Sequence, residues 1–356
     1  MDTVFIDGAA GEGGGQILRT ALALSCITAK NLHIENIRAA RRNPGLAKQH
    51  LSCVKAACRI SSAKSHGAVL NSKVLDFQPG TLQAGDFNFN VGSAGSATLV
   101  AQTILPALFL AEKPSTITIT GGTHNPLAPP FDFIHETFLP AIAAAGFHAD
   151  CKLLKHGFYP AGGGKITLHI QPAKKHPLQP INLCKPSEQP KINARIYTAK
   201  LPAHIAQRQK KLLLESPLQF TNIEHIEAAD SDGPGNCIMI RICSGSRTTV
   251  FTAFGIRGKP SADVVNEVVT LAKNFLASSA IVDRFLADQL LIYMAIAKNG
   301  SYTTNELSNH LLTNIEIIKK FLPVSFRIVR QEKTYTISRV PENPPSWPRS
   351  RGSNPK

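Results

Sequence analysis

The sequence predicts an α+β protein. Three repeated βαβαββ-type units form a large domain, and a smaller α/β domain is inserted between the second and third. Three observations predict it. A short strand, TVFID (3–7), leads through the glycine-rich GAAGEGGG (8–15) into a helix-like run, QILRTALALSCIT (16–28). The same grammar returns at FNFNVG (87–92), SAGSA (93–97) and TLVAQTILPALFLA (98–111). A third copy of the helical part stands late in the chain, at 279–300 and 308–323, while 184–278 breaks the pattern. A spacing of about 80–90 residues exceeds the periods of solenoid repeats, so the units read as packed modules.

Each unit needs a second helix. In the first, Asn43-Pro44 offers a capping residue followed by proline, and Leu46, Leu51, Val54, Ala57 and Cys58 supply an apolar face. In the second, PPFDFIHETFLPAIAAAG (129–146) runs to a terminating Gly146. In the third, Ser308 or Asn309 caps a helix whose apolar face is Leu311, Ile315, Ile318 and Leu322. The insert opens on the polar, proline-punctuated CKPSEQPK (184–191). It continues with strands at 194–199, 238–245 and 248–255 and helices at 203–215 and 261–279. The expected organisation is therefore 1–183 (units one and two), 184–278 (insert), 279–340 (unit three) and a disordered, proline-rich tail at 341–356.

Composition narrows the class. With 356 residues, 43% hydrophobic and 18% charged, the chain can bury a sizeable core, which excludes a mainly disordered protein. No apolar run approaches the roughly 18 residues of a membrane span, so no membrane partner is expected. The start of the chain lacks a basic stretch followed by an apolar core, and the seven cysteines form no CxxC pair. Reduced thiols in a cytoplasmic protein fit best. A formal charge of +15 suits a polyanionic partner, or equally a solvated basic surface.

Four segments could carry chemistry. In GEGGGQ (11–16), glycines at a strand-to-helix junction let backbone N–H groups approach an anion. Neither GxGxxG nor GxxxxGK[ST] matches, since Gln16 and Tyr159 stand where glycine is required. Glu12 beside phosphate makes sense with a divalent cation between them; otherwise it is an exposed residue of a tight turn. Arg38, Arg41 and Arg42 suit phosphate oxygens or a solvated loop. HGFYPAGGGK (156–165) suits a nucleic-acid surface or a β-hairpin turn. His310 falls in a first helical turn, where the dipole disfavours the imidazolium and leaves a neutral, nucleophilic ring, or merely a capping one.

Taken in order, DGAAGEGGGQILR (7–19), RRNPGLAKQHL (41–51), GSAGSATLVAQTILPAL (92–108), GGTHNPLAPPFDF (121–133), HGFYPAGGG (156–164), DGPGN (232–236), FLADQ (285–289) and HLLTNI (310–315) resemble the RNA 3'-terminal phosphate cyclases, over about residues 3–338. The resemblance implies three repeats like the C-terminal domain of a translation initiation factor, with a small inserted domain. It implies an enzyme that uses ATP to convert an RNA 3'-terminal phosphate to a 2',3'-cyclic phosphate, through a covalent histidine–AMP and an RNA–adenylate anhydride. By position, His310 would be the nucleophile and Glu12 the ligand of a divalent metal, magnesium or manganese. ATP would lie on Gln102 and on Phe285, Leu286, Ala287, Asp288 and Gln289, near Pro129. Arg19, Arg38, Arg41 and Gln49 would face phosphates. Phe285 keeps a ring but lacks the hydroxyl of the tyrosine expected in some members. The implied partner is RNA with a 3'-phosphate end, and a homodimer is an open option.

Three other readings compete. A non-catalytic scaffold in ribosomal RNA processing shares the fold but lacks the histidine, which this chain keeps. An enolpyruvyl transferase also repeats α+β units, but HGFYPAGGG and SNHLLTN argue against it. A bare RNA-binding module would form no cyclic product. Lysine nucleotidyl transferases are excluded because the two DG pairs follow Phe5-Ile6 and Asp230-Ser231, leaving no KxDG.

Overall fold

The computed structural model describes residues 2–173, 177–185 and 188–340. The tail expected at 341–356 lies outside the described residues. The first unit comprises β1 (Thr3–Asp7), α1 (Gly15–Thr28), β2 (Asn31–Glu35), α2 (Lys48–Ser61), β3 (Lys64–His66) and β4 (Leu75–Gln78). The second comprises β5 (Asp86–Asn90), α3 (Ala97–Leu108), β6 (Ser115–Gly121), a helix whose π turn Phe133–Phe138 runs into α4 (Leu139–Ala143), β7 (Ala149–Lys155) and β8 (Gly164–Ile170).

A three-residue strand, β9 (Ile181–Leu183), precedes the insert. The insert holds β10 (Lys191–Ala199), α5 (Ala203–Leu214), β11 (Phe220–Glu227), β12 (Gly235–Ser244), β13 (Arg247–Phe254) and α6 (Ser261–Leu276). Then follow α7 (Arg284–Ala297), β14 (Gly300–Thr304), α8 (Asn309–Phe321), β15 (Ser325–Gln331) and β16 (Thr334–Val340).

The repeat is exact at the level of topology. The sheets run β1-β2-β4-β3, β5-β6-β8-β7 and β9-β14-β16-β15. In each, the first two strands are parallel and the other pairings antiparallel. Because β9 pairs with β14, the third unit begins at Ile181, ahead of the insert, and not at 279. The insert thus interrupts the third unit between its first strand and first helix.

Helices α1 and α3 are apolar on nearly every face, and a helix of that kind is buried. Ile17, Leu18, Ala21, Leu22 and Leu24, with Val100, Ile104 and Leu105, are within 1% of fully buried. Helix α2 instead buries Val54, Ala57 and Ile60 and exposes Lys48, Lys55 and Arg59. It starts at Lys48, not at Asn43-Pro44. Residues 36–47 form a loop in which Asn36 and Arg38 take positive φ and Gly45 N–H donates to the Ile37 carbonyl. The helices expected from 129 and 279 begin at Phe131 and Arg284, and β11 is a strand the sequence patterns do not mark.

The insert's sheet, β11-β10-β12-β13, alternates with period two. Ile238, Ile240 and Ile242 face α5 and α6 in a separate core, while Cys237 and Met239 join Phe158 and Tyr197 in a cluster at the seam with the large domain. That seam is polar at its centre. Asp132, just before the π turn, accepts from Tyr197 Oη at 2.7 Å and Arg195 Nη1 at 3.2 Å and meets His124 Nε2 at 2.9 Å. Glu136 receives Arg195 at 2.6 Å and Arg241 at 2.5 Å. Residues 156–163 are the turn of the β7–β8 hairpin, with Gly164 and Lys165 opening β8, and the turn belongs to this seam. His156 meets Asp230 at 2.7 Å and Lys155 meets Asp232 at 2.7 Å. Only Tyr159 of its rings projects to solvent; Phe158 is 2% exposed.

Candidate active site

The site forms where the β1–α1 loop meets the start of α8. Gly11 and Gly13 take positive φ, which glycine adopts without strain, and α1 begins at Gly15. The Glu12 N–H donates to Thr313 Oγ1 of α8 at 3.0 Å, tying loop to helix. Glu12 Oε1 accepts from the Gln16 N–H at 3.3 Å, and Oε2 accepts from Arg41 Nη2 at 2.9 Å. The Glu12 side chain is 4% exposed.

His310 stands in the first turn of α8, which Ser308 caps by accepting from the Leu311 N–H. Its Nδ1 lies 3.6 Å from Glu12 Oε2, too long for a hydrogen bond but close enough to orient the ring. Nε2 makes no hydrogen bond or ion pair among the described residues. Burial lowers the His310 pKa, Glu12 opposes that shift, and Arg19, Arg41 and Arg284 reinforce it. The ring is accordingly neutral near pH 7. A cavity of about 420 Å³ opens here, with Glu12, Arg41, Arg284, Glu306 and His310 in its wall.

Three helices hold this histidine in place. Thr20 of α1 donates to Asn314 of α8 at 2.7 Å, and Asn314 donates to the Asp288 carbonyl of α7 at 3.0 Å. Gln16 of α1 donates to Asp288 Oδ2 at 2.7 Å. Burial pushes the Asp288 carboxyl up to about 7 despite the Gln16 bond and the Arg19 charge, and its Oδ1 is buried without a partner among the described residues. Between about pH 4 and 7 the folded chain thus keeps a proton that the unfolded chain has released. The associated stability is complete at low pH and lost as pH rises toward 7. Asp288→Asn is therefore expected to fall less in Tm than the parent between pH 5 and 8, by roughly a few degrees. Parallel melting curves across that range would contradict this.

The basic groups gather beside the loop. Burial lowers the Arg19 pKa, and Arg19 makes no hydrogen bond among the described residues. Burial and the neighbouring Arg41 lower that of Arg38, whose Nη1 donates to the Gly45 carbonyl at 2.8 Å. Burial, then Arg19 and Arg38, push His50 down to about 3; its Nδ1 accepts from the Ala47 N–H at 3.3 Å. The arginines share little negative charge beyond Glu12, an arrangement that suits phosphate.

Of the remaining expected residues, Gln102 lies on α3 and Phe285–Gln289 on α7, while Pro129 sits in the loop before the π turn and Gln49 in the first turn of α2. Gln102 donates to Gln289, Gln289 donates to the Phe285 carbonyl at 2.8 Å, and Thr98 donates to the Pro129 carbonyl at 2.6 Å. Phe285 is 42% exposed, with Arg284 5.4 Å from its ring centre. Leu286 and Ala287 point into the core. Gln49 Oε1 accepts from the Ser96 N–H at 2.9 Å, while its Nε2 is buried without a partner among the described residues.

Sequence reasoning missed Gln16, Thr20, His50, Arg284, Thr313 and Asn314. Most of them lie in or beside quoted motifs, but only the fold shows that they meet. Among the described residues no three His, Cys, Asp or Glu side chains gather as a metal site. Glu12 alone on a phosphate-suited loop still fits a magnesium-type ion, which takes one or two carboxylates and completes its shell with water and substrate phosphates.

A family model described as RNA 3'-terminal phosphate cyclase matches residues 10–328. A protein of Koribacter versatilis named RNA 3'-terminal phosphate cyclase is 47% identical over 335 residues, covering 93% of each chain. Proteins of the same name from Pseudomonas fluorescens and Salmonella enteritidis are 43% and 42% identical, covering 91% and 94% of this chain and 94% and 98% of their own.

Proposed function

The chain belongs to the RNA 3'-terminal phosphate cyclase family, and we propose that it uses ATP to cyclise RNA 3'-phosphate ends through an AMP held on His310. The single observation that carries the mechanism is the capped first-turn His310, half exposed in the wall of the cavity with its Nδ1 3.6 Å from Glu12 Oε2.

His310 Nε2 attacks the α-phosphorus of ATP, a P–N bond forms, and pyrophosphate leaves with the electron pair of the broken P–O bond. An oxygen of the RNA 3'-phosphate then attacks the same phosphorus, and the imidazole leaves with the P–N electrons. The 2'-hydroxyl next attacks the 3'-phosphorus, loses its proton to water, and AMP departs. Without the adenylate the leaving group would be oxide or hydroxide, and holding the ends together makes the last step intramolecular. Glu12 sets the ring orientation, and Arg19, Arg38 and Arg41 offset phosphate charge. Gln102, Gln289, Phe285 and Pro129 offer the surface for the adenosine. Glu12 would also hold a divalent ion, which supplies further charge neutralisation when bound.

The test is incubation of a 3'-phosphorylated oligonucleotide with ATP and magnesium. The expected product resists phosphatase and appears with one AMP per end; a product still open to phosphatase would sink the proposal. Glu12→Ala should slow adduct formation by on the order of 10–100-fold, as loss of an orienting carboxylate does at metal-dependent sites. It should also raise the metal concentration for half-maximal rate. An unchanged metal titration would return Glu12 to the role of a turn residue.

A further inference from the structure

From Arg38 to Lys73 the chain carries eight basic residues and no acidic one. Only the cluster at its start is absorbed by the site described above. The rest follows α2 outward. Lys48, Ser52, Lys55 and Arg59 recur at helical spacing on one face, and the three cations are exposed. Among the described residues none of these cations pairs with a carboxylate. With a rise of 1.5 Å per residue, Lys55 and Arg59 stand about 10 and 16 Å along the axis from Lys48.

Beside them lies a shallow cavity of about 430 Å³. Val54, Cys58, Ala63 and Ala68 supply its apolar lining, and Lys55 and Arg59 its charged edge. An apolar recess flanked by two unpaired cations matches the chemistry of a nucleotide: a base for the recess and phosphates for the edge. The arginine plane also offers a stacking surface for a base. The N-terminus of the same helix carries His50 beside Gly15, where the Glu12 loop enters α1, and Gln49, which accepts from the Ser96 N–H.

On the reading of the site as a cyclase centre, the geometry points to the outer face of α2 as the track for the body of the RNA strand. Lys48, Lys55 and Arg59 bind phosphates upstream of the reacting end, and the recess takes one base. The contacts are independent of sequence, since they read phosphate and the face of a base.

The experiment measures binding without ATP, so it does not depend on adenylylation. A trinucleotide and a decanucleotide, each with a 3'-phosphate and with a 3'-hydroxyl, are titrated over a range of salt. The proteins are the parent, Lys55→Ala/Arg59→Ala and a control, Lys113→Ala/Lys273→Ala, that removes two exposed cations elsewhere. Each single-strand phosphate contact contributes a slope of about 0.7 in log K against log salt. The track variant should therefore lose about 1.4 from the decanucleotide slope and leave the trinucleotide unchanged, while the control keeps the parental slope. Equal decanucleotide slopes in the track variant and the control overturn the track, even if the preference for a 3'-phosphate stands. A parent with no preference for a 3'-phosphate over a 3'-hydroxyl overturns the cyclase reading, and the track with it.

Discussion

His310→Ala should form no covalent AMP adduct and no cyclic phosphate, with a Tm close to the parental value. The side chain is about half exposed at the mouth of the cavity, so its loss removes the attacking nitrogen and little packing. The helix start survives because its cap is Ser308, its tie to the β1–α1 loop runs through Thr313, and its ties to α1 and α7 run through Asn314. The measurement is radiolabel retained on denatured protein after incubation with α-labelled ATP, alongside a melting curve. Label on the alanine variant would move the nucleophile elsewhere, with His156 the next histidine to replace.

Asp132→Ala should cost on the order of 3–5 kcal/mol of stability, the usual consequence of removing one partner from a buried ionic cluster. The Asp132 side chain is 7% exposed and serves His124, Arg195 and Tyr197 at once. Burial alone would raise its carboxyl; the bonds from His124 and Tyr197 and the Arg195 charge bring it down to about 2. Its contribution is therefore present above about pH 4 and lost as pH falls toward 2. Asp132→Asn, which keeps one acceptor, should cost less. Denaturant unfolding of both variants at pH 7 tests this, and a loss below about 1 kcal/mol in the alanine variant would contradict it.

The two results bear on what a sequence can disclose. His310 and its capping serine are legible because a helix start is a local event, written in consecutive residues. The repeat is legible because strand, glycine run and apolar helix recur in the same order. The start of α2 is misleading for the same local reason. Asn43-Pro44 carries helix-opening chemistry, but the loop is held open by tertiary bonds such as Leu46 N–H to the Ser72 carbonyl and Asn71 N–H to the Leu46 carbonyl. The strand β9 is illegible because three residues carry no usable period, and its partner β14 lies more than a hundred residues on.

The seam with the insert is hidden for a related reason. Asp132 and Glu136 look like polar positions of an ordinary helix until Arg195, Tyr197 and Arg241 arrive from another domain. HGFYPAGGGK shows how composition can mislead: its histidine, rings and glycines suit RNA, yet most of the segment is spent on docking the small domain. Gln16, Thr20 and Asn314 escape notice because a polar residue inside a motif does not announce which helix it will bind.

The most direct test of the account is to map the AMP. The parental protein, incubated with α-labelled ATP and magnesium, is digested under alkaline conditions, and the labelled peptide is sequenced. The account predicts a single labelled peptide containing His310, whose label is released by mild acid and survives base, as a phosphoramidate requires. Label on another peptide, or a label stable to acid, would contradict it.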